Sequence, residues 1–486
     1  MKREIVENKE VNMNKKCQIF TPENYVKELL DSVDYTKHLY GKKILENSCG
    51  DGNILVAVVQ RYIDDCLENG FSKTQIKNGL ANDIYGIEID SEQHKKCIAN
   101  LNEVLQKNQI DEVEWNIYNA DYLRWNETIQ FQFIVGNPPY ITYRELEVDE
   151  QQYVKTTFET CVKGKFDYCY AFIEKSIKSL AQDGKMAYLI PSSIFKTVFG
   201  MNLRNYMKPF ITVIKDYTQE KVFDNALVKS AIMVLDMQRQ QDTLHYKDMT
   251  LETEITIPIS QLTDKWFFTE NLANGMHRFG DYFKVSHAPA TLLNKAYILK
   301  AGDYEETEQG FLCNKHNIEK DVVRDAAAPR TSRYHKNEKI IFPYSYVNGH
   351  LIRFENGEFE KNYPEAASHL NDFKDDLSKR KSDTRANWYE YGRSQALAGL
   401  DCDKLLISTI ITENVFVYKL TRECIPYSGM YIVKCADNTE YTLEDAIHIL
   451  KSRAFKQYVL DVGIHISGSS LRITSKDIED YRFGGE

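Results

Sequence analysis

At 486 residues the chain is too long for one hydrophobic core and predicts two domains, with room for a small third. Its 43% hydrophobic and 27% charged residues describe an ordinary soluble globular protein, and no run approaches the ~18 apolar residues of a membrane-spanning helix. A formal net charge of −10 excludes a uniformly basic nucleic-acid-binding surface but not a local basic cleft, because phosphates respond to the nearby potential.

The start, Met1-Lys2-Arg3-Glu4, is not a signal peptide, and the expected location is cytoplasmic, nucleoid-associated in the bacterial manner, with no membrane contact. Only a short tail precedes Phe20-Thr21-Pro22, so no fused nuclease domain is expected ahead of it. The ten cysteines are scattered, without a CxxC pair or a His/Cys cluster at ligand spacing. Reduced, mostly buried thiols and no metal are expected.

Lys43-Ile44-Leu45-Glu46-Asn47-Ser48 reads as a short buried strand, Cys49-Gly50-Asp51-Gly52-Asn53 as a tight glycine turn, and Ile54 to Val59 as the opening of a helix. This is the first strand-turn-helix of a Rossmann-like sheet, where glycines admit a ligand close to the backbone and a helix N-terminus faces it. The third glycine of the dinucleotide fingerprint is missing, which favours S-adenosylmethionine over NAD because no pyrophosphate needs cradling. A second strand, Ile84 to Asp90, ends in acids, and Glu88 is assigned to ribose hydroxyls, a solvated strand-end acid being the ordinary alternative. The polar helical segment Arg61 to Lys77 lengthens the usual spacing between these two features. A third segment, Trp115 to Tyr122, carries Asp121, whose carboxylate suits the amine of the cofactor's adenine.

The apolar run Phe131 to Gly136 leads directly into Asn137-Pro138-Pro139-Tyr140. A nucleobase amine is a poor nucleophile because its lone pair is delocalised into the ring, so a site must accept its protons. The Asn137 side-chain oxygen and the Pro138 carbonyl supply acceptors, the two prolines fix φ without adding donors, and Tyr140 offers a ring for stacking. A strand followed by a proline turn is the plain structural alternative.

Strands recur at Lys43–Asn47, Tyr85–Ile89, Glu114–Tyr118, Phe131–Val135, Met186–Ile190, Thr212–Tyr217 and Ala231–Asp236, the last two forming an antiparallel pair. The expected fold is α/β: a Rossmann-like seven-stranded sheet of the methyltransferase kind with a reversed edge hairpin, plus a C-terminal α+β domain. The polar stretch Gln238 to Asp242 reads as the linker, giving one domain at 1–240 and a second at 241–486. Beyond it, Ile340 to Tyr344, His350 to Phe354, Leu405 to Ser408 and Val415 to Tyr418 read as short strands and Tyr441 to Leu460 as a helix. Basic and aromatic residues interleave there. The stronger DNA-binding candidate is Lys379, Arg380, Lys381, Arg385, Trp388 and Arg393, and the other is Arg330, Arg333, Tyr334 and Lys336.

With these pieces in order, the sequence resembles the gamma-class N6-adenine DNA methyltransferases of the Taq type. The resemblance is carried by Gln18-Ile19-Phe20-Thr21-Pro22, Glu46 to Gly52, Ile87-Glu88-Ile89, Ala120-Asp121, Asn137 to Tyr140, Ile190-Pro191-Ser192-Ser193 and Leu203-Arg204, over roughly the first half of the chain. It implies that Phe20, Thr21, Pro22, Glu46, Ser48, Gly50, Gly52, Glu88, Ile89, Asp121 and Asn137 surround S-adenosylmethionine. Thr21 would meet the cofactor carboxylate, Glu46 its methionine portion, Glu88 the ribose, Ile89 the adenine and Asp121 its amine. Asn137, Pro138, Pro139 and Tyr140 would receive the target base. A second aromatic is implied after the fifth strand, with Phe195 and Phe199 as candidates and Phe199 nearer the expected spacing. The second half more weakly resembles a target-recognition domain, through Trp388 to Arg393 and Ile466 to Arg472, so the resemblance implies an S-adenosylmethionine-dependent methyltransferase domain at 1–240 and a target-recognition (DNA-binding) domain at 241–486.

The expected activity is therefore site-specific adenine N6-methylation of a flipped-out base in double-stranded DNA, as part of or derived from a restriction-modification system. A separate restriction endonuclease is the candidate partner, and the expected state is a monomer or weak dimer. Methylation of a protein glutamine or an RNA base amine is the alternative, and a non-enzymatic DNA-binding module is a third.

Overall fold

The computed structural model describes residues 21–218, 229–269, 275–355, 357–467 and 469–484. The chain divides into two compact units, Met1–Glu270 and Asn271–Glu486. In the first, the sheet strands are β1 (Ile44–Glu46), β2 (Ile84–Glu88), β3 (Asn116–Asn119), β4 (Phe131–Gly136), β5 (Leu180–Pro191), β6 (Ile211–Asp216), β7 (Ser230–Asp236), β8 (Thr243–Asp248) and β9 (Thr253–Pro258).

They form one sheet in the order β3-β2-β1-β4-β5-β7-β6-β8-β9. β1 to β5 run parallel, and β7 is inserted antiparallel between β5 and β6. The order reverses beside β1, and that switch point opens a crevice at the strands' C-terminal ends. Parallel strands need cover on both faces, and the period-two alternation provides it. Ile44, Phe133, Val135 and Leu189 enter one core, with α1 (Glu23–Ser32), α2 (Asn53–Glu68), α3 (Lys73–Asp83) and α4 (Ser91–Lys107). Leu45, Ile134, Met186 and Tyr188 enter the other, with α5 (Val148–Thr157), α6 (Cys169–Ser179) and α7 (Met201–Met207).

Three sequence expectations change. The expected seven strands are present, but the sheet continues: β8 pairs parallel with β6, and β9 closes the edge antiparallel. Consequently the boundary is at 270 and not at 240. The polar stretch Gln238 to Asp242 is only the connection from β7 to β8, and Leu244, Ile257, Ile259, Leu262 and Trp266 beyond it are buried in the first unit's core. The helix expected from Tyr441 to Leu460 is two helices, Leu443–Lys451 and Arg453–Val462. Ser452 is extended between them and its hydroxyl accepts the Phe455 amide, so the side chain that ends one helix starts the next.

The second unit is mixed α+β. An antiparallel sheet of Phe283–His287, Met430–Lys434, Lys404–Ile407 and Val417–Leu420 backs one core. A second sheet of Ile298–Leu299, Glu338–Ile341, Val323–Ala327 and Ile425–Pro426 backs another. Among the described residues no helix is long and apolar enough to cross a membrane.

Candidate functional site

β1 ends at Glu46 and the chain turns through Gly50 (φ +52°) and Gly52 (φ +88°) into α2. A Cβ at Gly52 would lie 2.7 Å from Cys97 Sγ and 3.3 Å from its Cα, so only glycine lets the turn meet α4 at this φ. Glu88, at the end of β2, fixes the same turn. One carboxylate oxygen accepts the Gly50 amide at 2.8 Å and the other the Asp90 amide at 2.8 Å, while burial raises its pKa.

These ends surround a cavity of about 1110 Å³, counting the space open to solvent. Thr21, Glu46, Ser48, Gly50, Glu88, Ile89, Asp121, Asn137 and Pro139 all line it. Four acceptors around it, Glu46 Oε2, Asn47 Oδ1, Asp51 Oδ1 and Gln93 Oε1, are buried with no partner among the described residues. Buried polar atoms are normally hydrogen-bonded, so a cluster of orphans on one cavity marks where a polar ligand belongs. Glu46 is 3% exposed, and its pKa lies well above the usual carboxylate range because burial, then Cys97 and Glu88, disfavour a second negative charge.

A buried network positions Asn47. Its amide donates to Ser176 Oγ at 2.9 Å and to the Tyr188 hydroxyl, Ser176 and Tyr188 are 2.7 Å apart, and the Tyr122 hydroxyl reaches Ser176 at 3.1 Å. At the end of β4, Asn137 Nδ2 donates to Thr21 Oγ1 at 3.3 Å and Ser48 Oγ donates to the Asn137 carbonyl at 3.2 Å. Pro138 is buried, and the Tyr140 hydroxyl donates to the Leu189 carbonyl at 2.7 Å, which sets its ring beside the loop.

The two aromatic candidates separate. Phe195 is 1% exposed and stacks on Trp266 at 6.0 Å, with Phe268 edge-on at 5.3 Å, so it is a core residue and not a base-stacking surface. Phe199 is 45% exposed, and its ring lies against Gly164, where a Cβ would come within 2.1 Å. The residues after Gly164 run back to the Asn-Pro-Pro-Tyr loop: Tyr143 N donates to Phe166 O at 3.1 Å and Tyr168 N to Ile141 O at 2.9 Å. One segment therefore links the surroundings of Tyr140 and Phe199.

Of the remaining candidates, Pro22 caps α1, and neither it nor Gly52 lines the cavity. Phe20 lies outside the described residues. The cavity also gains Ile141, Tyr168 and Phe172, which the sequence motifs do not mark. Asp121 is held from behind: Leu123 N donates to it at 2.9 Å, and Arg124 pairs with both Asp121 and Glu150. Glu150 also accepts the Tyr168 hydroxyl at 2.8 Å, so one carboxylate on α5 ties together two cavity walls.

The basic cluster from 379 to 393 is not a free cationic surface. Arg380 spends its guanidinium on the carbonyls of Thr291, Trp388 and Glu390 and on the Tyr297 hydroxyl. Arg393 pairs with Asp383 at 2.7 Å, Lys379 lies 4.0 Å from Asp376, and Trp388 donates to Glu360 at 2.9 Å. Lys381 and Arg385 are exposed. Among the described residues no group of His, Cys, Asp and Glu is arranged to hold a metal.

Asp167, on the segment paired to the loop, supplies a test of this packing. Burial pushes its carboxyl up to about 6, against the Cys169 amide that favours the anion. Its folded pKa thus exceeds the unfolded value, so the native state holds the proton longer and this group lowers stability as pH rises from ~4 to ~6. Asp167→Asn removes that penalty. Its stability relative to the parent should grow across this window and level off above it, by about 1–3 kcal/mol once partial solvent access is allowed for. Urea titrations at several pH values would show it, and a difference independent of pH would contradict the buried placement.

Comparison with known proteins agrees with this geometry. Residues 35–223 match the family model of the Eco57I restriction-modification methylase. The matched segment covers every sheet strand from β1 to β6 and the cavity walls except Thr21. The chain is 23% identical to the Type II restriction enzyme and methyltransferase RM.Eco57I of Escherichia coli, over 90% of this chain and 53% of that protein. It is 31% identical to the Type II methyltransferase M.BstVI of Geobacillus stearothermophilus, over 43% of this chain and 39% of that protein. The chain thus spans about half the length, or less, of these relatives. The Type IIL restriction-modification enzyme MmeI, solved in complex with DNA, superimposes with a TM-score of 0.61 at 14% identity, over 93% of this chain and 63% of that one, and so shares the fold.

Proposed function

We propose that the chain is a DNA methyltransferase of a restriction-modification system, transferring a methyl group from S-adenosylmethionine to the N6 amine of adenine in double-stranded DNA. The observation that carries this reading is the set of buried acceptors without a partner among the described residues, on Glu46, Asn47, Asp51 and Gln93, along one cavity whose wall continues into Asn137 and Pro139. An acceptor-rich, partly apolar crevice at the switch point suits a cofactor with an amino group, ribose hydroxyls and an adenine amine. Thr21 and Glu46 would hold the amino-acid end, Glu88 the ribose, and Ile89 and Asp121 the adenine. When bound, S-adenosylmethionine supplies an electrophilic methyl group.

The residues of the chain do the rest. Asn137 Oδ1 and the Pro138 carbonyl accept the two amine protons and favour a pyramidal nitrogen with its lone pair released from the ring. Tyr140 and Phe199 take the two faces of the extruded base. Extrusion costs a few kcal/mol, and stacking returns about 1–3 kcal/mol per base. The nitrogen attacks directly, so no covalent enzyme intermediate is needed. The names of the relatives support the restriction-modification setting and the DNA substrate, and a separate endonuclease is the proposed partner.

The test is labelled-methyl transfer to duplex DNA followed by nucleoside analysis. N6-methyladenine is expected. N4-methylcytosine would keep amine methylation and overturn adenine, and label found only on polypeptide or RNA would overturn DNA as the substrate.

A further inference from the structure

With most of the 379–393 cluster engaged internally, the cations left for DNA lie elsewhere in the second unit. Helix Pro329–Arg333 presents Arg330 and Arg333 to solvent, with Tyr334 63% exposed just beyond. The Arg333 guanidinium lies 4.6 Å from the centroid of Phe416, itself 37% exposed, and a stacked guanidinium is already planar and oriented for a phosphate or a guanine edge. The helix is anchored at the end of strand Lys404–Ile407: a Cβ at Gly429 would meet the Ile407 carbonyl at 2.6 Å and the Pro329 ring at 2.8 Å. Three residues after Ile407, Ile410 pairs antiparallel with Arg472, so these two side chains share one face of a three-stranded sheet. Ile410 is 42% exposed and Arg472 is exposed, whereas their neighbours Ile411 and Leu471 are buried on the other face. Arg330, Arg333 and Arg472 have no carboxylate partner among the described residues.

We propose that this surface, Arg330, Arg333, Tyr334, Ile410, Phe416 and Arg472, is where the second unit grips double-stranded DNA, an inference that rests on the DNA reading above. Three unpaired guanidinium groups in a chain of net charge −10 are a local positive site, and each is free to neutralise a phosphate without first breaking an ion pair. The exposed rings and Ile410 supply flat and apolar contacts of the kind that meet sugars and thymine methyls. The Ile466 to Arg472 stretch enters this surface through Arg472, on the strand Ser470–Arg472.

The experiment is duplex binding by fluorescence anisotropy across a salt series, using the full chain and the triple variant R330Q/R333Q/R472Q, with R393Q, whose guanidinium is already paired with Asp383, for comparison. The first should bind about tenfold or more weakly, and its log-log salt slope should fall by about three, near one for each phosphate no longer neutralised. The second should stay within about twofold of the parent. Matching thermal midpoints would verify that both variants are folded. A triple variant with parental affinity and slope overturns the surface and leaves the DNA reading standing. A parent that prefers single-stranded RNA, or binds no duplex at all, overturns both.

Discussion

Asn137→Ala should lower methyl transfer by about 10²–10⁴-fold while leaving cofactor affinity within a few-fold, because under the proposed function it removes the side-chain acceptor for the reacting amine. Two contacts that hold the loop survive the change. Ser48 holds the Asn137 carbonyl, which the variant keeps, and the Tyr140 hydroxyl remains on the Leu189 carbonyl. Alanine gives up the hydrogen bond from Asn137 Nδ2 to Thr21 Oγ1, which at 3.3 Å is long and worth about 1 kcal/mol at most. Single-turnover transfer and equilibrium cofactor binding separate the two effects. A variant that transfers methyl groups at close to the parental rate would remove Asn137 from the chemistry, and one that merely loses cofactor would make it a binding residue.

How much of this was legible in the sequence follows from the range of the interactions involved. The strands and the glycine turn are local: alternation along Phe131 to Gly136 and the φ required at Gly50 and Gly52 depend on adjacent residues, and the structure reproduces them. The split between Phe195 and Phe199 is not local. Trp266, which seals Phe195 in the core, arrives about seventy residues later, on the chain beyond β9. Arg380 is similar, since its partners Thr291 and Tyr297 are 89 and 83 residues away, and a basic run in isolation looks solvated. The boundary was misplaced because a polar run between two strands of one sheet has the composition of a linker, while β8 and β9 are short and partly exposed at the sheet edge.

Arg204→Met should cost the first unit about 3 kcal/mol. Arg204 is 1% exposed, and its guanidinium donates to the Ile194 carbonyl at 2.6 Å, the Thr197 carbonyl at 2.9 Å and, through Nε, the Asp264 carbonyl at 2.7 Å. Burial brings its pKa down to about 10, so the group is still charged at neutral pH and the three carbonyls carry the compensation. Methionine fills much of the volume and needs no desolvation of a charge, yet it leaves the buried Ile194 carbonyl and the part-buried Thr197 and Asp264 carbonyls without their donor, at about 1 kcal/mol or more each. For a unit of this size that corresponds to a midpoint lowered by roughly 6–12 °C. The loss is also local: Ile194 and Thr197 bracket the turn that leads to Phe199, the proposed second base-stacking residue, and Asp264 follows β9, so this one side chain joins that turn to the chain beyond the edge of the sheet. DNA methylation should therefore fall more than cofactor binding, measured at a temperature where the variant is folded. A midpoint shift below about 2 °C would mean that water replaces the guanidinium without loss, and a variant with parental activity on DNA would detach the Phe199 turn from Arg204.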